Sequence, residues 1–400
     1  MRPTPLILLL LLSLAHNSVM ATTDYMTFAE GAIPVEVGGQ ANVLKAGIEQ
    51  ALVLIDGNPG GKVITPKPGG PDTTLWFVYQ LPAPTTFTRF AVPGISETPS
   101  PSQTFFREVE ISGSSTGPTG PFEPLASASL AEHKRKDELT FIVVGNPTPV
   151  SWVRVTLSGG INLLTDKTFF EFSEIIGEGT RAPVPVVDAF TGKWKGRGVL
   201  LELKQEGTSV SGCYDREGDL QGTVRGNLLQ ATGTNRTSGV PSSFVLAVGE
   251  DGGITGVRST NGAPFRLYTG DTAPGLVTEC SSSPARPPGC GDNVHGIQFD
   301  FDSDVIRPDS APVLDALYAG LKDVEGTSIQ IVGHTSSEGA EDYNLELSRR
   351  RAASVVAALV TRGIDRARLG AHGAGEASPI ADNSSETGRS LNRRVEIRCL

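Results

Sequence analysis

Short runs that alternate apolar and polar residues fill residues 23–178, and they predict β-strands. In "WVRVTL" at 152–157, the three aliphatic residues fall on one face, while Trp152, Arg154 and Thr156 fall on the other. Further runs rich in aromatic and β-branched residues lie at 75–81, 87–92, 105–111, 141–144 and 169–176. Turn-forming clusters separate these runs, so we predict a β-sandwich.

A second series of strand-like runs follows between residues 189 and 272. The runs at 192–215, 218–233 and 242–259 are divided by glycine-containing turns at the spacing of a meander. This pattern predicts a small antiparallel barrel or barrel-like sheet. We expect Trp194 to plug the end of its core rather than to contact a ligand.

Residues 291–400 alternate between strand-like and helix-like periods, which predicts an α/β or α+β fold with a mixed sheet. An apolar stripe at 313, 314, 317 and 321 predicts a helix over 307–324. A second helix is expected from Asn344 to Arg362, with Asn344 as its N-cap and Gly363 ending it. Strands are expected at 296–301, 328–334 and 394–400.

Two stretches have the composition of linkers, and they divide the chain. "TRAPVPVV" at 180–187 is proline-rich, and "CSSSPARPPGC" at 280–290 is rich in serine and proline without periodicity. We therefore predict a multidomain chain with a β-sandwich at 22–180, a small antiparallel β-domain at 188–273, a linker at 274–290 and an α/β domain at 291–400.

The first 21 residues have the pattern of a secretory signal peptide. Arg2 precedes the apolar run 6–14, and Val19, Met20 and Ala21 form the expected cleavage site. The run is too short to span a bilayer, which takes roughly 20 residues. No later apolar stretch is long enough either, so we expect an exported chain without a transmembrane helix.

Charge and cysteine content narrow the range of functions. The net charge of -10 argues against non-specific binding of nucleic acid, which needs a basic surface. Four cysteines in an exported chain predict two disulfides. Of the three possible pairings we favour Cys213 with Cys280 and Cys290 with Cys399. The chain contains no C-x-x-C sequence, which argues against redox catalysis.

Several motifs in the first region, taken in order, resemble the discoidin or galactose-binding-like jelly roll. They are "ALVLIDGN", "LWFVYQLPAPTTFTRFAV", "VEISGSSTGPTGPFEPLA", "WVRVTL" and "FFEFSEIIGEG". The resemblance implies a fold whose loops often bind glycans or lipid headgroups. Relatives hold a structural cation near the positions of Asp56 and Asn58; an ordinary Asp-Gly turn is the alternative that we favour.

The last region resembles the OmpA-like C-terminal domain. The motifs "IQFDFDSDVIRPDSAPVLDAL", "IVGHTSSEGAEDYNLELSRRRAASVVAAL", "RLGAHGAGEASPIADN" and "GRSLNRRVEI" carry the resemblance, in order and at family spacing. The family binds the peptide stem of peptidoglycan without covalent chemistry. Its ligand carries a diaminopimelate residue with an ammonium group and carboxylates.

The resemblance implies a ligand site around the loop before the second helix. In the family an Asp follows His-Thr and accepts the ammonium, and an Arg fifteen residues later binds the carboxylate. That Arg is Arg351 here, on one helix face with Asn344, Leu347 and Ser348. Further site positions implied by the family are Asp300, Phe301, Thr335 and Arg393, whereas Arg394 is expected to be structural.

Ser336 occupies the position of the family's aspartate, and this is the main departure from the family pattern. The loss of a charged acceptor costs on the order of 1.5–3 kcal/mol, or roughly tenfold to a hundredfold in affinity. Glu338, Glu341 or Asp342 are the candidates to supply the charge. A changed ligand or weakened wall binding is the alternative. We expect binding to survive.

The sequence favours a non-catalytic protein without a cofactor or metal. "GSSTG" at 113–117 fits G-x-S-x-G, but Pro118 and Pro121 prevent the helix that this motif requires. We expect a periplasmic protein, associated with the outer membrane or wall, that binds peptidoglycan and holds a glycan or an envelope protein through its β-domains. The alternative is an envelope enzyme acting on glycans; an outer-membrane barrel is disfavoured because the strands are irregular.

Overall fold

A computed structural model of the chain describes residues 23–60, 63–70, 72–94, 103–131, 138–159, 169–278, 280, 286–300 and 302–400. The expected signal peptide lies outside the described residues. Among the helices in these ranges, none is both long enough and apolar enough to cross a membrane.

The N-terminal part of the protein is built mainly of β-strands. They are β1 (Ile33–Gly39), β2 (Val63–Ile64), β3 (Leu75–Pro93), β4 (Gln103–Phe105), β5 (Glu108–Ser114), β6 (Glu123–Ser129), β7 (Leu139–Val143), β8 (Pro149–Ser158), β9 (Phe169–Phe172) and β10 (Ile176–Arg181), with the short helices α1 (Ala41–Leu44) and α2 (Ile48–Val53). The strands in the described residues form one sheet in the order β1-β3-β8-β5-β6, with β7 and β10 also on β3, and a second sheet in the order β2-β9-β4.

Strand β3 organises the larger sheet because it is long enough to pair along both of its halves. Its first half pairs with β1 and β8, and its second half pairs with β7 and β10. The inward-facing aromatic side chains of β3 fill the core, and the rings of Phe87 and Phe90 lie 4.8 Å apart. The predicted alternation of β8 is confirmed, since Val153, Val155 and Leu157 are buried.

The next part is a single curled antiparallel sheet. Its strands are β11 (Gly192–Gly196), β12 (Val199–Glu206), β13 (Ser209–Tyr214), β14 (Gly218–Arg225), β15 (Leu228–Asn235), β16 (Pro241–Val248), β17 (Ile254–Thr260), β18 (Arg266–Leu267) and β19 (Asp271–Thr272). Strand β18 pairs with β17, and β19 pairs with β11. The segment 266–272 therefore pairs with strands at both edges of the curled sheet. The barrel-like prediction is confirmed at this level.

Trp194 lies inside the curled sheet, as expected for a core plug. Its side chain is 2% exposed, and its Nε1 donates a hydrogen bond to the carbonyl of Gly252 at 2.9 Å. The indole therefore has its polar group satisfied while its rings pack against Phe190, Leu201 and the other residues of this core.

Both predicted disulfides are present. Cys213 of β13 is bonded to Cys280, which ties the curled sheet to the segment that leaves it. Cys290 is bonded to Cys399, which joins residues 109 positions apart at the two ends of the C-terminal part. A bond that closes so long a loop removes much of the conformational freedom of the unfolded chain.

The C-terminal part combines a mixed sheet with helices, as predicted. It contains β20 (Asn293–Val294), α3 (Ala311–Leu321), β21 (Ile329–His334), α4 (Glu341–Thr361), β22 (Leu369–Gly375), α5 (Glu386–Asn392) and β23 (Val395–Cys399). The described strands lie in the order β20-β23-β21-β22, in which only the β21–β22 pair is parallel. The core lies between this sheet and helices α3 and α4, and includes Leu317, Leu321, Ile331, Val355 and Leu359.

Two predictions for this part were wrong: one strand, and the start of one helix. The strand expected at 296–301 is absent from the described residues 296–300, where Gly296 has φ +83° and Phe299 makes only an isolated bridge to Ile306. Helix α4 begins at Glu341, so its N-cap is Ala340 and not Asn344. Two acidic residues in the first turn favour this earlier start because they complement the helix dipole.

Candidate functional site

The loop between β21 and α4 leaves the sheet with its first two residues buried. Thr335 and Ser336 are each 5% exposed, and the Thr335 amide continues the ladder by donating to the Gly375 carbonyl at 2.9 Å. The Oγ1 atom of Thr335 is buried and has no hydrogen-bond partner among the described residues. Buried polar atoms are seldom left without a partner, so this hydroxyl at the end of β21 marks the loop as a candidate site.

Ser336 is held by contacts on both its side chain and its backbone. Its hydroxyl donates to Oε2 of Glu338 at 3.3 Å, and its carbonyl accepts from Nδ2 of Asn344 at 3.3 Å. Asn344 is 2% exposed and also donates to the Glu376 carboxylate beyond the end of β22. Asn344 therefore joins the loop to the neighbouring strand end rather than capping its helix.

The next turn of α4 is packed tightly against β22. Ser348 is fully buried; its Oγ accepts from the Gly375 amide at 2.9 Å and donates to the Leu345 carbonyl at 2.7 Å. Gly373 allows this approach, since an added Cβ would lie 2.6 Å from Ser348 Oγ. Leu347 is 6% exposed. Both predicted site residues thus position the helix in this structure.

Arg351 lies one turn further along α4, and its described contacts are with a backbone carbonyl and an aromatic ring. Its Nε donates to the Ser303 carbonyl at 2.9 Å, and its guanidinium carbon lies 4.9 Å from the centre of the Phe299 ring. No carboxylate oxygen of the described residues lies within ion-pair distance. Burial, and then the nearby charge of Arg393, lower the pKa of Arg351 to about 10, so the side chain remains charged at neutral pH.

The segment that follows β20 borders Arg351. Asp300 is exposed, and its amide donates to the Val305 carbonyl at 3.0 Å within the same turn. Asp302 has φ +53°, and its carboxylate accepts from the Tyr343 hydroxyl. Phe301, a predicted site residue, lies outside the described residues. The sequence did not point to Phe299 or Asp302, which the turn brings to Arg351.

Helix α5 supplies a cluster of charges on the other side of the loop. Arg393 pairs with Glu386, and its Nη1 lies 3.8 Å from Oε2 of Glu338. Arg389 lies 2.9 Å from Glu386 and 3.4 Å from the same Glu338 oxygen. Only Arg393 was predicted here. The spacing of 386, 389 and 393 on one helical face was the available signal.

Helix α5 itself is seated on the N-terminal part of the protein. The Glu386 amide donates to the Asp56 carbonyl at 2.8 Å, and Nη2 of Arg389 donates to the Gly57 carbonyl at 2.7 Å. The first of these contacts satisfies an amide of the first helical turn, which has no partner within its own helix. We call Asn344, Ser348 and Arg351 the α4 half of the candidate site, and Glu386, Arg389 and Arg393 its α5 half.

Comparison with known proteins identifies the part of the chain that holds this site. Residues 298–393 match the family model described as OmpA family. The C-terminal part is an OmpA family domain. Over 112 residues the chain is 40% identical to the probable lipoprotein YiaD of Escherichia coli, which covers 27% of this chain and 51% of YiaD.

Two further relatives cover the same domain. Outer membrane protein A of Bordetella avium is 46% identical over 99 residues, which are 25% of this chain and 51% of that protein. The chain thus spans about half the length of YiaD and about half the length of outer membrane protein A. The solved structure of the peptidoglycan-associated lipoprotein from Burkholderia pseudomallei is 31% identical, with a TM-score of 0.24, and the match covers 26% of this chain and 88% of that one.

Arg394 and His334, beside the site, form hydrogen bonds within the OmpA family domain. Arg394 is 6% exposed and donates to Asn293 Oδ1 and to the carbonyls of Ser378 and Asn392. These contacts support its structural assignment. His334 lies beneath the loop, with Nε2 3.2 Å from Oε2 of Glu396, and burial lowers its pKa to about 4.

The Asp56 turn beneath the OmpA family domain has the contacts of an ordinary turn. Asp56 Oδ1 accepts from the Asn58 amide at 2.8 Å, Gly57 has φ +73°, and Asn58 Oδ1 accepts from the Gly60 amide at 3.2 Å. In the part of the chain that the structure describes, no three His, Cys, Asp or Glu side chains converge to hold a metal ion. These contacts are those of the Asp-Gly turn that we favoured.

The G-x-S-x-G match does not form a nucleophile elbow. Strand β5 ends at Ser114, whose Oγ accepts from the amides of Thr116 and Gly117 at 3.2 and 3.4 Å. The residues that follow turn back into β6 without a helix. The loop interpretation is confirmed.

Proposed function

We propose that the protein is a non-catalytic component of the bacterial cell envelope. In this proposal its OmpA family domain binds the stem peptide of peptidoglycan and tethers the N-terminal β-domains to the wall. The observation that carries the proposal is Arg351, a half-buried arginine without a carboxylate partner among the described residues.

The geometry of Arg351 suits the capture of a carboxylate. Its Nε and its ring-facing side are occupied by Ser303 and Phe299, which fix the plane of the guanidinium. The two Nη atoms remain for a bidentate contact with an anion, such as the carboxylate of diaminopimelate. Burial and the charge of Arg393 disfavour the charged guanidinium, and a bound anion would offset both.

The other side chains proposed for the site fall into two groups. Thr335, with its unpartnered hydroxyl, and Arg393 are proposed to contact the ligand together with Arg351. Asn344, Leu347 and Ser348 are proposed to hold the site in place. Asp300, Phe301 and Ser336 remain proposed members of its rim.

The location and the remaining domains are also part of the proposal. The names of the relatives, an outer membrane protein and a probable lipoprotein, support a location in the periplasm at the outer membrane or wall. We propose that residues 22–180 form a discoidin-like jelly roll and residues 188–273 a separate β-domain, joined by the linker 274–290 to the OmpA family domain at 291–400. A glycan or an envelope protein is the proposed partner of the two β-domains.

Co-sedimentation of the full chain with purified peptidoglycan tests this function. We expect the wild-type protein to be retained in the pellet and Arg351→Ala to remain in the supernatant. Labelled peptidoglycan should release no soluble product during the incubation. Failure of the wild-type protein to sediment would refute wall binding, and release of product would favour an envelope enzyme.

A further inference from the structure

A site that binds an amino acid through both of its charges needs an anion as well as Arg351. The residue at the expected position, Ser336, has no charge. We infer that Glu338 accepts the ligand's ammonium in place of a residue at position 336. The inference rests on the proposed function.

The position of the Glu338 carboxylate is the first argument. Its Oε2 lies 3.3 Å from the Ser336 hydroxyl oxygen. That oxygen stands where the carboxylate carbon of an aspartate would stand, so Glu338 places its charge about one hydrogen-bond length from the family position. The glutamate starts two residues further along the loop but reaches back to the same place. Its side chain is 62% exposed, which leaves the carboxylate accessible to a ligand.

The loop that carries Glu338 is fixed on both sides. The Ser337 amide donates to Asn383 Oδ1 at 3.2 Å, and the Ser336 carbonyl accepts from Asn344. Gly339 has φ +102°, a conformation that favours glycine, and it turns the chain directly after Glu338. These backbone contacts fix the loop, and the hydrogen bond from the Ser336 hydroxyl places the Glu338 carboxylate beside Ser336.

The arginines beside Glu338 do not prevent it from binding an ammonium. Arg389 and Arg393 each have a second carboxylate partner in Glu386. When a ligand's ammonium approaches, Glu338 can leave the two guanidinium groups without depriving either of its carboxylate. The Glu338 side chain is 62% exposed and Glu386 stays paired with both arginines, so releasing Glu338 leaves no guanidinium without a carboxylate.

Other acids near the loop fit the role less well. Glu341 and Asp342 lie exposed in the first turn of α4, and neither contacts Ser336 in the described structure. The Asp302 carboxylate accepts from the Tyr343 hydroxyl and lies near Arg351, and it makes no described contact with Ser336. Among these acids, Glu338 therefore lies beside Ser336, the position where the family has its aspartate.

Calorimetry on the full chain with two synthetic stem tripeptides tests the inference. One ends in diaminopimelate, and the other has the distal ammonium replaced by hydrogen. We expect the wild-type protein to bind the ammonium-bearing peptide about tenfold more tightly or better, as for a hydrogen bond to a charged group. Glu338→Gln should lose this preference, while the control Glu341→Gln should keep it.

A relocated charge should rescue the variant. Adding Ser336→Asp to Glu338→Gln places a carboxylate at the family position, and the preference for the ammonium-bearing peptide should return. If Glu338→Gln keeps the preference, the inference is wrong and the proposed function stands. If the wild-type protein binds neither peptide, the proposed function itself is wrong.

Discussion

The two halves of the site are built from different interactions. The α4 half makes buried contacts between single hydroxyl, amide and carbonyl groups within the OmpA family domain. The α5 half consists of guanidinium–carboxylate pairs, and its backbone rests on the Asp56–Gly57 turn of the N-terminal part. One half is thus fixed by its own domain, and the other is held by a neighbour.

This difference has an energetic meaning. Buried hydrogen bonds are costly to break because the separated groups find no water, so the α4 half keeps its geometry. The two arginines of the α5 half share two carboxylates, Glu386 and the 62% exposed Glu338, so this half can exchange Glu338 for a ligand at a lower cost. We expect a fixed carboxylate site beside an adaptable region, and the following measurements test that contrast.

Arg351→Ala should have the largest effect on binding. Loss of a charge-assisted contact should weaken the affinity for the stem tripeptide about tenfold to a hundredfold, measured by calorimetry. Arg349→Ala is the matched control, because Arg349 is exposed on the same helix and pairs with Glu346 at 2.6 Å. Equal losses in both variants would show that only the general basic charge of α4 matters.

Acid should weaken the loop beside the α4 half, through His334 at the end of β21. Burial lowers the pKa of His334 from 6.5 to about 4, so the folded protein excludes a proton that the unfolded chain binds. Stability is therefore lost as the pH falls from 6.5 towards 4, by at most about 2 kcal/mol at pH 5.

Thermal unfolding of the wild-type protein and of His334→Gln, at pH 8 and pH 5, measures this loss. We expect the difference in unfolding temperature between the two pH values to be smaller in the variant. An unchanged difference would assign the acid sensitivity to other groups.

Gly57→Ala should loosen the α5 half alone. The added Cβ would lie 2.0 Å from Cβ of Glu386, at a residue with φ +73°. The backbone strain costs roughly 1–2 kcal/mol, and the seat of α5 must shift. Amide hydrogen exchange in 386–393 should increase, with an affinity loss of a few fold.

Gly47→Ala is the control for this change, since its added Cβ meets no atom within 4 Å. Exchange in α4 should stay constant in both variants. If Gly57→Ala left exchange in α5 unaltered, the helix would not depend on the N-terminal part.

Tyr343→Phe should have the smallest effect. The Tyr343 hydroxyl holds the Asp302 carboxylate, whose nearby charge opposes part of the lowering of the Arg351 pKa by burial and Arg393. Without the hydroxyl, Asp302 can compete with the ligand for Arg351. An exposed pair of this kind predicts a loss of about fivefold or less in affinity. A gain in affinity would mean that Asp302 does not compete.

The α4 half could be predicted from the sequence, whereas most of the α5 half could not. Arg351 follows from family spacing along one continuous helix. Helix α5 has only 7 residues and no apolar stripe, and its contact from Arg389 to Gly57 joins residues 332 positions apart. Local periodicity carries no information about such a contact.

The misplaced elements have similar causes. Asn344 has the residue type of an N-cap, yet its amide is used between the loop and β22, so tertiary contacts outweighed the local preference. The run 296–300 has the composition of a strand, but the positive φ of Gly296 turns it away from the sheet. Glu338 was one of three candidate acids, and only the folded loop separates it from Glu341 and Asp342.

Under the proposed tethering function, the Cys290–Cys399 bond has a mechanical consequence. Tension from the N-terminal part enters the OmpA family domain at residue 290, and the disulfide passes it directly to β23. Strand β23 lies between β20 and β21, with Cys399 opposite Ile329. The pull along the backbone is then carried by a covalent bond into the middle of the sheet.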